Sequence, residues 1–191
     1  GFNKSGSSQL FLGTTNSYAG DTQITAGTLF FTNNNQLGGS SSRIRLNGGT
    51  LQDNAATGTQ TINRPLIVTA ASSVALGAAG ATMDLSGPIV GTNQITKSGA
   101  DVLTISGNNT SFFGALTNGN GSASGPITLA STGQLRRATV NLTSTAASTF
   151  DMSGLTREIG SLGNATVNTF ATGNTVALGN GGAHQGHRLA G

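Results

Sequence analysis

A lysine-led motif occurs twice in this chain, and its recurrence limits the available folds more than any other feature. The first copy begins at Lys4 in KSGSSQLFLGTTNSYAGDTQITAGTL, and a weaker second copy begins at Lys97 in KSGADVLTISGNNTSFFG. Lys4/Lys97, Leu10/Leu103, Leu12/Ile105 and Asn16/Asn109 share an offset of 93 residues, whereas Tyr18/Phe112 and Gly20/Gly114 run at 94. One inserted residue accounts for the difference. Self-similarity over such a period marks a stacked repeat architecture, in which each unit buries its apolar face against its neighbours.

Composition decides which kind of stack. Apolar residues make up 35% of the 191 positions and charged residues 8%, with 30 glycines, 3 prolines and neither cysteine nor tryptophan. A disordered chain needs higher net charge than the +3 found here and fewer β-branched residues. Helix is opposed because Gly or Asn interrupts almost every window of eight residues, each Gly costing about 0.5–1 kcal/mol relative to Ala.

Strands are supported throughout. Gln9–Leu12, Arg43–Leu46, Val74–Leu76, Met83–Leu85, Val102–Ile105, Ile127–Leu129, Val140–Leu142 and Val176–Leu178 each alternate apolar and polar residues between Gly/Asn/Ser clusters. Most span only three to five residues, the length of one side of a solenoid coil. Inward Leu, Ile, Val and Phe would form ladders, with Gly and Asn at the corners where φ turns positive. At about 20 residues per coil the chain makes about nine coils and a rod near 40 Å long.

The first motif carries a family likeness. Lys4, Gly6, Leu10, Leu12, Gly13, Asn16, Tyr18, Gly20, Thr22, Ile24, Gly27, Thr28 and Leu29 stand in the pattern that resembles the autotransporter-associated β-strand repeat of bacterial surface proteins. NNNQLGGSSSRIRLNGGTLQ, with its Asn-x-x-Leu-Gly turn, is similar to the stretch C-terminal to the motif in that family, as is LSGPIVGTNQITKSGADVLTISG to the approach to a second copy. IGSLGNATVNTFATGNTVALGNGG resembles the segment that precedes a further copy. The likeness covers nearly all of residues 3–182. It departs at Leu116–Gly121, where the Thr-x-Ile-x-x-Gly-Thr-Leu ending is lost. The resemblance implies an all-β chain folded as a right-handed parallel β-helix (a β-solenoid) on a secreted or surface-exposed protein.

Two modules and a tail are expected: 3–85, then 94–182 continuous with the first, then an irregular 183–191. The opening at Gly1-Phe2-Asn3 suggests a mature or excised segment of something longer. Absence of cysteine fits a working place outside the cytoplasm, and no apolar run approaches the ~20 residues that span a bilayer.

Chemistry-bearing residues are sparse. The acids are Asp21, Asp53, Asp84, Asp101, Asp151 and Glu158. Polysaccharide-cleaving β-helices need paired carboxylates flanking one bond. No two acids here lie within six residues of one another, so a pair would require coil stacking. Asp84, outward by alternation, is the acid to watch.

His184 and His187 form His-x-x-His in a Gly-rich tail without a third ligand nearby. Gly119–Gly125 mimics a phosphate loop but lacks the Lys-Ser/Thr that such a loop requires. Neither a Gly-x-Ser-x-Gly elbow nor a histidine outside the tail is present. Thr57, Thr59 and Thr61 suggest a hydroxyl array that is not expected to recur once per coil. Sequons at Asn3, Asn108, Asn109, Asn120, Asn141 and Asn164 arise by chance in so polar a chain. Tyr18, Phe112, Phe30, Phe31 and Phe113 are expected inside or at corners as wedges, with sugar-stacking platforms as the alternative reading. The pI of about 10.2 reflects scattered charges with one dense spot, Arg136-Arg137, where a nucleic-acid binder would show a clustered patch.

The expectation is therefore a non-enzyme, with no catalytic, cofactor-binding or metal residues and no cofactor. It is a structural repeat of an extracellular stalk, adhesin shaft or filament. Its partners would be further copies or flanking coils stacked end to end, with neither nucleic acid nor membrane insertion. The alternative is an adhesin module binding glycans or cell surfaces; a polysaccharide-degrading enzyme ranks third.

Overall fold

The computed structural model describes residues 1–77, 80–119, 124–143, 148–152, 156–162, 168–170 and 175–178. They form a parallel β-solenoid. The chain enters through β1 (Phe2–Lys4) and β2 (Gln9–Phe11), then β3 (Thr22–Ile24) and β4 (Thr28–Phe31). Three coils with three strands each come next: β5 (Ile44–Asn47), β6 (Thr50–Asp53) and β7 (Gly58–Ile62); β8 (Leu66–Ala70), β9 (Ser72–Leu76) and β10 (Ala81–Leu85); β11 (Ile89–Gly91), β12 (Ile95–Ser98) and β13 (Val102–Ile105). Later coils contribute β14 (Ala115–Asn118) and β15 (Ile127–Leu129), β16 (Leu135–Leu142) and β17 (Ser148–Asp151), β18 (Thr156–Leu162) and β19 (Asn168–Phe170), and β20 (Thr175–Leu178). Every segment that alternation marked as a strand is one.

Three sheets run along the axis. The first stacks five strands (β1, β3, β5, β8, β11), the second nine (β2, β4, β6, β9, β12, β14, β16, β18, β20) and the third six (β7, β10, β13, β15, β17, β19). All pairings are parallel. The chain passes nine times through the second sheet, the number of coils that its length suggests. Among the described residues, the first two coils add no strand to the third sheet, and the coils after β11 add none to the first. The ladders β8–β11, β9–β12 and β10–β13 carry all three sheets across residues 86–93.

Inward side chains form columns at the ~4.8 Å rung spacing. Leu29, Leu51 and Val74 share one column in the second sheet. Ile24, Leu46 and Val68 share one in the first, and Ile62, Leu85, Ile105 and Leu129 one in the third. All are buried. Each fully buried Leu or Ile contributes about 1.5–3 kcal/mol of transfer free energy, and a column concentrates that term along one line.

Proline placement obeys the same hydrogen-bond logic. Pro65, Pro88 and Pro126, the chain's three prolines, each stand just before a strand. Each offers only its carbonyl: Ile44 N–H donates to Pro65 O (2.9 Å), Leu66 N–H to Pro88 O (2.9 Å) and Leu103 N–H to Pro126 O (3.1 Å). A residue without an N–H is tolerated at such strand starts. The Asn-x-x-Leu-Gly turn is a single 3₁₀ turn, Asn34–Leu37, capped reciprocally by Asn33 and Gln36.

Candidate functional site

The acids among the described residues fall into three environments. Asp21 lies before β3 and accepts from Arg43 Nε (3.0 Å) and Arg45 Nε (2.5 Å) of the next coil. These arginines, Arg43 first, hold its carboxyl down at about 2. Asp53 and Asp101 are buried. Asp53 Oδ1 accepts from Ala55 N–H at 2.8 Å, and Asp101 Oδ1 from Gly80 N–H at 2.7 Å. Burial, aided weakly by Asp101, raises the Asp53 carboxyl above its ordinary range.

Asp84 faces outward between buried Met83 and Leu85, as alternation predicts, and accepts from Ser106 Oγ at 2.6 Å. Its column reads Thr61, Asp84, Thr104, Thr128, Asp151. Asp84 and Asp151 thus share a face but stand three rungs apart, about 14 Å at the ~4.8 Å spacing. That exceeds the ~5–9.5 Å separations at which two carboxylates cleave a glycosidic bond. The side chain of Glu158, and His184 and His187 entirely, lie outside the described residues.

The motif lysines have a structural task. Lys4 Nζ donates to Gly6 O and to Ala26 O of the next coil (3.1 Å). Lys97 Nζ donates to Gly99 O (2.6 Å), Ser124 Oγ (3.1 Å) and Gly125 O (3.0 Å). In both copies the ammonium folds back onto the carbonyl two residues ahead and reaches the next coil. The motif asparagines repeat the device: Asn16 Nδ2 donates to Thr14 O (3.1 Å) and Asn109 Nδ2 to Gly107 O (3.0 Å), each two residues back. Yet Lys4 ends a strand of the first sheet and Lys97 lies in a strand of the second. The 93-residue period therefore advances the motif by one face.

Lys97 is fully buried, and burial lowers its ammonium to about 8 against an opposing pull from Asp101. Arg64, unnoticed in the sequence, is also buried. Its Nη1 donates to Leu37 O (2.7 Å), Gly39 O (3.1 Å) and Ser42 Oγ (2.7 Å), fastening the connection between β4 and β5. The signal for Lys97 and Asp53 was present in the sequence: Ile95-x-Lys97 and Leu51-x-Asp53 place both on the inward phase.

The array of Thr59 and Thr61 does not recur once per coil, since Thr61 is followed by Asp84 and the column of Thr59 and Thr82 by Val102. Single hydroxyls do recur once per coil on the second sheet. Thr28, Thr50, Ser73, Thr96 and Thr117 occupy five successive rungs, with Gln9 before them and Asn141 after. Beside this column, Phe11 stacks on Phe30 with centroids 4.3 Å apart and planes 8° from parallel.

The aromatic wedges are mostly as expected. Phe30, Phe31 and Phe112 are buried, and half-buried Tyr18 packs on Phe2 and bonds Thr22 Oγ1 at 2.7 Å. Phe113 departs from that expectation. It is 50% exposed, because Phe112 takes the inward position, and Arg137 of the next coil lies 4.9 Å from its ring centroid. Gly119 and Gly125 are corner residues around Lys97.

Comparison with known proteins gives one informative likeness. The adhesin BmaC autotransporter of Brucella suis biovar 1 (strain 1330) is 34% identical over 120 residues, which is 63% of this chain and 3% of that protein. The chain thus spans a small fraction of the relative it matches. No family model and no solved structure matches it. The likeness and the fold fit a surface structural or adhesin segment.

Proposed function

We propose that this chain is a segment of the shaft of an extracellular or cell-surface β-solenoid of the autotransporter-passenger kind, without catalysis of its own. The observation that supports this best is the nine-strand second sheet, whose pairing continues without interruption from β2 to β20. A parallel stack of this kind carries load along its hydrogen bonds and core columns, and its length sets the reach of whatever it displays.

Its partners are further coils, in a longer polypeptide or in other copies, stacked end to end. At the β1–β2 edge, Leu10 occupies the inward column of Leu29 and Leu51 yet is 37% exposed, and Phe11 is 58% exposed. Edge strands with apolar side chains pair readily with another strand, and a head-to-tail contact that does not close produces filaments. Sedimentation and light scattering over a concentration series test this. Self-association is expected for the chain as given and not for Leu10→Lys. Equal, concentration-independent monomers for both would overturn the end-to-end reading.

A second reading, an adhesin module with a lateral binding face, is favoured by one specific observation: half-exposed Phe113 beneath an exposed arginine.

A further inference from the structure

We infer that Phe113 and Arg137, with Arg136 beside them, form a binding site for an acidic glycan. The inference rests on the adhesin reading and gives it a place and a ligand class. Ala115 pairs with Thr139, so Phe113 and Arg137 are opposite one another on adjacent coils, two residues before that pair. The register of β16 against β18 shifts between Leu135 and Thr139. A bulge adds residues to one strand and re-aims their side chains. Here it projects two consecutive arginines outward, and both are exposed between the buried Leu135 and Ala138. Exposed consecutive side chains on one strand break the alternation seen in most of the solenoid.

Three properties of the site point to the ligand. The guanidinium of Arg137 lies over the ring, 4.9 Å from its centroid, within cation–π range; its planar fork of N–H donors is matched to carboxylate and sulfate oxygens. Phe113 keeps half its surface in solvent, an apolar platform for the C–H face of a pyranose. The ion pairs between described residues join Asp21 to Arg43 and Arg45, and none engages Arg137. An anionic sugar ring satisfies both the charge and the platform, whereas a neutral glycan uses only the platform.

The test measures retention of the intact chain and of Arg137→Gln, Phe113→Ala and Arg43→Gln on immobilised heparin, polygalacturonate and dextran. The variants' circular dichroism spectra and melting are recorded alongside, with Arg137→Lys as a second variant that keeps the charge. Binding to one or both acidic polymers but not to dextran is expected. Arg137→Gln and Phe113→Ala should each weaken it about tenfold, Arg137→Lys less, and Arg43→Gln little. Heparin and polygalacturonate separate sulfate from carboxylate recognition. Equal weakening by Arg43→Gln and Arg137→Gln would overturn the site, since binding would then follow net charge alone. Dextran binding without acidic-polymer binding would overturn the ligand class and leave the adhesin reading standing. No binding to any polymer would count against both.

Discussion

Lys97 stands one rung from Val74 in the same inward column and is as completely enclosed as the valine. A cation therefore occupies a place that Leu29 and Leu51 fill in earlier coils. Its three acceptors come from the turn after its own strand and from the next coil, so the ammonium joins two coils at a corner. Truncation to Ala leaves two carbonyls and a hydroxyl without this donor, and loss of a buried polar partner costs about 1–3 kcal/mol. With the added cavity, Lys97→Ala should lower stability by about 3–5 kcal/mol, read from urea unfolding.

The same lysine makes stability depend on alkaline pH. Its pKa falls to about 8 in the fold from an ordinary 10.5, chiefly through burial. Between those values the unfolded chain binds more protons than the folded one, so stability rises with pH across that window and is flat below it. The comparison that isolates this is the melting temperature of the intact chain minus that of Lys97→Met, from about pH 7 to about 10.5. The difference should move in favour of the lysine form as pH rises. A difference that stays constant or moves the other way contradicts a Lys97 whose pKa burial has lowered.

The paired motif glycines should behave unequally. Gly99 has φ +89°, and a Cβ there would lie 2.0 Å from Leu76 O; at Gly6 nothing lies within 4 Å of a Cβ. Both stand two residues after a clip lysine, but Gly99 is a corner pressed against the coil before it. Gly99→Ala should cost about 3 kcal/mol or more, combining backbone strain with overpacking. Gly6→Ala should change stability by less than about 1 kcal/mol. Denaturant midpoints for the two variants decide it.

Strand positions were legible in the sequence because short alternating runs between Gly and Asn admit few other structures. Val102–Ile105 and Met83–Leu85 each showed the period of two, and both lie within strands of the third sheet. The repeat itself was legible, and the asparagines it matched, Asn16 and Asn109, make equivalent side-chain bonds. Its advance by one face was not, because linear spacing does not reveal how many residues each corner consumes. Lys97, Asp53 and Arg64 escaped for another reason: charge argues for solvent, and what makes burial tolerable is the next coil for Lys97, the preceding coil for Arg64 and the Ala55 N–H for Asp53. Phe113 escaped because adjacent phenylalanines carry no mark of which one turns inward.

Asp21 ties β5 to the coil before it through two arginines. Its carboxyl, held at about 2 instead of 3.8, adds stability that is fully present above pH 3.8 and lost as pH falls toward 2. Arg43 is half-exposed and Arg45 a third exposed, so solvent screening keeps the contribution near 1 kcal/mol or below. Asp21→Asn should lose that amount at about pH 7, with the loss shrinking in about 1 M salt. A loss that is insensitive to salt would assign Asp21 a packing role instead.

Asp53 carries the opposite sign. It shares the second-sheet column of Phe31 and Leu76, and its Oδ2 has no hydrogen-bond partner among the described residues. With its pKa raised by burial, the folded chain holds a proton there at pH values where the unfolded chain has released it. Stability therefore falls as pH rises from 3.8 through the folded value. Asp53→Asn keeps an oxygen for Ala55 N–H and removes the desolvated charge. The variant should equal or exceed the parent in stability at about pH 7, by up to about 2 kcal/mol, and the two should converge near about pH 3.5. Chemical denaturation at those two pH values measures both points. A variant that is weaker at neutral pH would mean that the ionised carboxylate has a partner, and that the charge is what the corner requires.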